Sequence, residues 1–103
     1  MSTEPRMIVT ERETEEGLLV TVCDADVLGE TFEDGELSLT VTEEFYGGDE
    51  VDTGAVVDSL TRATIANIVG TRAVELAIEA DVIDEAHVLE IGATRHAQLL
   101  RLY

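Results

Sequence analysis

Short runs of alternating apolar and polar residues fill the first part of the chain. Met7-Ile8-Val9-Thr10-Glu11-Arg12 and Leu18-Leu19-Val20-Thr21-Val22-Cys23 read as two strands, and Glu15-Glu16-Gly17 supplies the turn of an antiparallel hairpin. In the second strand Leu18, Val20 and Val22 share one face and Leu19, Thr21 and Cys23 the other. Both faces are fairly apolar, which places it centrally in a sheet. Cys23 to Gly29 forms a turn, Glu30 to Phe32 a short extended piece, and Glu33-Asp34-Gly35 a further turn. Glu36 to Thr42 then alternates strictly, predicting a third strand with Leu37, Leu39 and Val41 inward.

The period lengthens after Phe45-Tyr46-Gly47-Gly48, which reads as a loop. Asp52 or Thr53 is suited to cap a helix running to Gly70. At about 100° per residue, Val56, Val57, Leu60, Ala63, Thr64 and Ile68 fall in one arc, with Asp58 and Arg62 opposite. Asn67 lies within the apolar arc, an odd place for an amide. Gly70 suits a left-handed helix end and Thr71 the cap of a second helix, Arg72 to Ala80, with Ala73, Val74, Ala77 and Ile78 inward. Asp84-Glu85-Ala86 turns the chain, His87 to Ile91 reads as a fourth strand, and Arg95 to Leu102 as a fifth. The order β-β-β-α-α-β-β predicts one α+β domain over residues 6–103, mostly antiparallel, with two consecutive helices on one face. Residues 1–5 are expected to be a disordered end.

Charge changes the picture. The 103 residues carry a net charge of −17, all six basic residues are arginines, and the acids are spread along the chain. An apolar content of 45% still specifies a globular core. A dispersed acidic skin suits very high salt, where charge is screened within about 3 Å at 1 M. A lone cysteine forms no internal disulfide, no apolar run nears the roughly 20 residues of a membrane span, and no signal pattern opens the chain. A cytoplasmic protein with no membrane contact is expected.

Several segments together resemble an archaeal family known as domain of unknown function 424 (DUF424). They are Val22-Cys23-Asp24 with Leu28-Gly29, Phe45-Tyr46-Gly47-Gly48, Ala63 to Gly70, Ala73-Val74-Glu75 and His96-Ala97-Gln98. The resemblance runs from about Met7 to Leu102. It implies an archaeal cytosolic protein with no settled activity and a role near translation or RNA metabolism. With the lysine-free composition it points to a salt-loving archaeon. Where the family pattern has a proline before the late histidine, this chain has Arg95.

Candidate chemistry is sparse. Cys23, Asn67 and His96 are the residue types of a nucleophilic triad, provided that the fold brings them together; a small buried cysteine is the ordinary alternative. No CxxC, HxxxH or HExxH spacing marks a metal, and neither GxGxxG nor GxxxxGK[ST] marks a nucleotide, so no metal and no cofactor are expected. The carboxylates are too many for any pair to signal acid–base work. A binding surface is the stronger reading. Acids are missing from residues 59–74 and 91–103, which hold Arg62, Arg72, Arg95 and Arg101, whereas residues 1–50 hold 15 acids and two arginines. If adjacent, these stretches form one neutral-to-basic patch, with arginine forks suited to phosphate or carboxylate. Its expected residues are Arg62, Asn67, Arg72, Arg95, His96 and Gln98, with Tyr46, Gly47 and Gly48 beside a stacking pair of aromatics. The expected function is a non-enzymatic accessory that binds RNA, a ribonucleoprotein or a translation factor. A small enzyme or sensor using Cys23, Asn67 and His96, a protein–protein adaptor and a homodimer stand as alternatives.

Overall fold

A computed structural model describes residues 6–101. The expected end at 1–5 and the close of the last strand at Leu102 lie outside the described residues. The first hairpin forms as its pattern requires, β1 (Met7–Thr14) pairing antiparallel with β2 (Gly17–Asp24). A 3-10 turn at Ala25–Val27 follows, then β3 (Thr31–Asp34) and β4 (Leu37–Thr40), a hairpin that forms its own two-stranded sheet. The expected third strand is therefore shorter and does not join the main sheet.

The expected loop at Phe45 begins as a one-turn helix, α1 (Glu43–Tyr46), because the Thr42 hydroxyl accepts from the Phe45 N–H. Next comes β5 (Asp49–Val51), an edge strand on β1, unforeseen because Asp49 and Glu50 are poor strand formers. Helix α2 (Thr53–Arg62) starts at the expected cap, with the Asp52 carboxylate accepting from Ala55 N–H at 2.9 Å.

The helix does not run on to Gly70; Ile65–Val69 is a strand, β6, and α3 (Thr71–Glu79) follows it. Ala66 and Ile68 do point to the helix-covered core, but with period two instead of 3.6. Both periods put Leu60, Ala63 and Ile68 inside, so a short β-branched run is ambiguous between them. Parallel pairing with β2 on one side and antiparallel pairing with β8 on the other decides the matter. The two helices are thus not consecutive, although both cover the same face.

A 3-10 turn at Glu85–His87 precedes β7 (Leu89–Ile91) and β8 (Thr94–Leu100), so His87 is not in the strand expected for it. The main sheet runs β5-β1-β2-β6-β8-β7, antiparallel except for β2 and β6. The domain is α+β and mostly antiparallel, as its pattern predicts.

Two cores lie on the sheet's two faces. On one, Val20, Val22, Ala66, Ile68 and Ala97 meet Val56 and Leu60 of α2 and Ala73, Val74 and Ala77 of α3. On the other, Ile8, Cys23 and Val69 are capped by Val41 and Tyr46, with Phe32, Leu39 and Phe45 packed alongside. This second cover is small and leaves much of its face open.

Candidate functional site

Cross-strand register defines the open face, since residues directly opposite one another point to the same side. One row is Arg12, Leu19, Ile65, Leu100; the next is Thr10, Thr21, Asn67, Gln98. A third is Ile8, Cys23, Val69, His96, Leu89. No acid occurs in the first two rows, and the third carries one at its β5 end, where Glu50 stands opposite Ile8. Ile8, Cys23 and Val69 are covered by the second core, while Leu19, Ile65, Asn67 and His96 are half-buried and Gln98 is exposed. Leu100, at 62% exposure, and Leu89, at 46%, stand on this face. Leu37 is 51% exposed and lies on the same side of its hairpin as the half-buried Leu39, next to β7. Every exposed large apolar side chain of the described residues therefore belongs to this face or its border.

Local contacts hold the face still. Gln98 Nε2 donates to Asn67 Oδ1 at 2.8 Å, and the hydroxyls of Thr10 and Thr21 are bonded together. At the β1 end, Arg12 lies 5.7 Å from the centroid of the Phe45 ring and donates to the Glu44 carbonyl at 2.7 Å. His96 is desolvated by burial, which holds its imidazole below the ordinary value.

The site residues expected from the sequence divide into three groups. Asn67, His96 and Gln98 come together on the open face. Tyr46 is core, its ring 5.0 Å from that of Phe45 in an edge-on arrangement, so these two rings do not form the expected exposed stacking pair. Gly47 ends α1 against the Glu43 carbonyl, and Gly48 packs where a Cβ would lie 2.8 Å from the Val9 carbonyl. These glycines serve close approach of the chain to itself.

The arginines do not form one patch. Arg62 pairs with Glu11 at 2.5 Å and Asp58 at 3.1 Å on the far face. Arg101 Nη1 donates toward the carbonyls of Leu60, Thr61 and Ala63, at 3.2, 3.0 and 2.6 Å, closing the end of α2. Arg95 points away from His96 and lies 3.9 Å from Glu85, while Arg72 is exposed at the start of α3. Acid-free sequence marked the buried elements, not a cationic surface.

Cys23 and His96 share a row but are two strands apart, roughly 10 Å at about 4.8 Å per strand, and Asn67 is bonded to Gln98. Burial, then the neighbouring Asp24 and Asp26 carboxylates, pushes the Cys23 thiol up to about 12. A neutral thiol with no base in reach is no nucleophile. The triad is not assembled.

A second feature is a cavity of about 560 Å³ at the end of the sheet where β2 and β6 finish, lined by Asp24, Asp26, Arg72, Glu75, Glu79 and Thr94 among others. Asp24 had no place among the expected site residues. Its carboxylate accepts from the N–H groups of Arg72 at 3.1 Å and Ala73 at 2.9 Å, capping α3 from another strand. Only the β2–β6 pairing, invisible to local pattern, could have announced it. Among the described residues no group of three His, Cys, Asp or Glu converges as metal ligands, and no helix is long and apolar enough to cross a membrane.

The model of the family described as "Protein of unknown function (DUF424)" matches residues 11–102. The crystal structure of an uncharacterized conserved protein from Methanopyrus kandleri is similar at a TM-score of 0.76 and 21% identity, covering 95% of this chain and 96% of that one. At that identity the likeness speaks for the fold alone. No curated protein matches the chain.

Proposed function

The chain belongs to the DUF424 family, and on that premise we propose that it is a non-enzymatic accessory docking onto a basic protein partner through its open sheet face. The carrying observation is the acid-free array of Leu19, Ile65, Asn67, Gln98, His96, Leu89 and Leu100 on a chain of net charge −17. Large apolar side chains left open on one face mark an interaction site. Around it stand acids: Glu43 and Glu44 on α1, Glu15 and Glu16 in the β1–β2 turn, Glu33, Asp34 and Glu36 on the hairpin. A partner with a neutral centre and a basic rim complements this arrangement, as a basic protein of a ribonucleoprotein or a basic translation factor would. A cytoplasmic site of action goes with this reading.

Direct RNA binding is less well supported, because Arg62 and Arg101 are occupied within the molecule and phosphate meets a strongly negative surface. Self-association would oppose two such charges. The test is affinity purification from cells in native salt with the wild-type chain, Leu100→Asp and Arg72→Glu, with and without nuclease. A basic protein retained through nuclease and Arg72→Glu but lost with Leu100→Asp supports the reading. Loss on nuclease, or retention by Leu100→Asp, overturns it.

A further inference from the structure

The open face has walls. Over β1 and β2 stands α1, tied down where the Thr21 hydroxyl donates to the Phe45 carbonyl at 3.3 Å. Over the β7–β8 turn stands the β3–β4 hairpin, whose Asp34 carboxylate accepts from the Gly92 N–H at 3.4 Å. The two lie so close that a Cβ on Gly92 would sit 2.8 Å from the Glu33 carbonyl oxygen. What stays open between these covers is a strip along β6 and β8. It runs from Ile65 and Leu100 through Asn67 and Gln98 to His96 and Leu89.

The dimensions of this strip narrow the choice of occupant. Two strands about 4.8 Å apart, with β7 beside them, give a width near the roughly 10 Å diameter of a helix. From His96 to Leu100 is four residues of strand, about 13 Å, which about nine residues of helix would span. An extended segment fits less well. The edge strands β5 and β7 are three residues long and carry Asp49, Glu50 and Glu90, so they offer little for strand addition. A nucleic-acid strand would bring its phosphates between acidic walls.

Charge and polarity point the same way. Glu43 and Glu44 of α1 and Glu33, Asp34 and Glu36 of the hairpin are exposed along the two walls. A helix lying between them meets acid on its flanks and leucine and isoleucine beneath. At the middle of the strip, the bond from Gln98 Nε2 to Asn67 Oδ1 does not use the Asn67 amide group or the Gln98 oxygen. One polar residue on the underside of the helix can pair there.

Resting on the docking reading above, we propose that the partner's docking element is a basic amphipathic helix lying along β6 and β8. Its apolar stripe covers Ile65, Leu89 and Leu100, and its lysines or arginines face the two acidic walls.

The probes are two synthetic peptides of about 18 residues, identical in composition and charge. One places leucines at i, i+4, i+7 and i+11 with lysines on both flanks, and the other scrambles the order so that no apolar face forms. Each is titrated into the folded full chain at high salt and followed by calorimetry, amide chemical shifts and circular dichroism. The amphipathic peptide is expected to gain helicity on binding and to bind at least about tenfold tighter than the scramble. It should shift the amides of residues 65–69, 89 and 96–100. Leu100→Asp should weaken it about tenfold or more. Glu43→Gln with Glu44→Gln should weaken it more than Glu75→Gln with Glu79→Gln, the same charge change on the helix-covered side. Equal binding of the two peptides, binding without helicity, shifts centred on α2 and α3, or no binding would overturn the proposal. If neither peptide binds while the cellular partner is still lost with Leu100→Asp, the helix is removed and the docking face stands. Retention of that partner by Leu100→Asp removes both. The wild-type shift map decides even if a variant fails to fold.

Discussion

Gly70 sits against Asp24 so closely that a Cβ on the glycine would lie 2.5 Å from the carboxylate carbon. The same carboxylate receives the first free N–H groups of α3. Gly70 has φ +115°, a conformation that side-chain-bearing residues rarely adopt. One contact thus joins the ends of the two parallel strands and starts the helix. Gly70→Ala is expected to destabilise by about 3 kcal/mol or more, from backbone strain and collision together. Asp24→Ala should cost about 2–4 kcal/mol, by stripping a cap and leaving buried donors unpaired. Because the collision partner disappears in the double variant, the two losses should sum to more than the double loses. Urea unfolding of the three variants measures this, and strict additivity would refute the coupling.

The Cys23 thiol gives a second expectation. Its pKa is raised from 9.0 to about 12, first by burial and then by Asp24 and Asp26. The folded state therefore holds a proton that the unfolded chain releases above pH 9. Stability from this group is complete below about pH 9 and is lost as pH rises toward 12, at up to about 1.4 kcal/mol per unit. Subtracting the pH profile of Cys23→Ala from that of the wild type isolates the effect. Thiol alkylation at neutral pH should proceed only through unfolding, so at a fixed pH iodoacetamide labelling should rise with urea along the unfolding curve.

Much of this architecture was legible because local rules and tertiary contacts agreed. The β1–β2 hairpin, the Asp52 cap, the Asp58–Arg62 pair and the inward residues of α3 all follow from neighbours in sequence. Legibility failed where two periods fitted one run. Ile65–Val69 satisfies a helical arc with Val56 and Leu60, and only its two strand partners show otherwise. The amide of Asn67 then ceases to be a buried oddity and becomes part of an open polar row with Gln98. Of the candidate site, sequence supplied Asn67, His96 and Gln98 as types of residue. Leu19, Ile65, Leu89 and Leu100 join them only through register across four strands. The arginines misled for a physical reason: Arg101 is needed to end a helix, and Arg62 to neutralise Glu11.

That difference between arginines is measurable. Arg101 gathers three backbone carbonyls at the end of α2, and charged donors to such groups contribute about 1.5–3 kcal/mol. Arg101→Ala should lower stability by about 2 kcal/mol. Arg62 is a surface partner of Glu11 and Asp58, and Arg62→Ala should change stability little, and less still in high salt. Thermal unfolding of both variants in low and high salt checks the contrast. An equal loss in both would remove the capping role given to Arg101.

Salt should act on the whole molecule. A net charge of −17 on a chain whose principal extents are 39 × 35 × 27 Å sets many like charges within a Debye length of one another in dilute buffer. That length falls from about 30 Å at 0.01 M to about 3 Å at 1 M. The melting temperature is expected to rise steeply over this range, because repulsion is relieved more than the few surface ion pairs are weakened. Potassium and sodium chloride should act alike if screening is the cause. A flat profile would show that the acids are already compensated by their neighbours.

His96 links the docking face to pH. Its imidazole is half-buried between Val69 and Leu89 in the open row, and desolvation holds its pKa below the ordinary 6.5. In the unfolded chain the group protonates first, so folding stability is retained above about 6.5 and declines as pH falls toward the lower folded value. A partner lying over the face removes more water from the ring and lowers its pKa further. Binding should therefore hold constant between pH 7 and 8 and weaken as acid places a charge in a neutral interface, the more so against a basic rim. His96→Gln keeps the size and polarity without the titration, and should bind as well at pH 7 but lose less on acidification. The measurement is partner affinity from pH 5 to 8 for both chains, with folding monitored in parallel. If both lose affinity equally while still folded, the partner does not cover His96, and the interface lies elsewhere on the molecule.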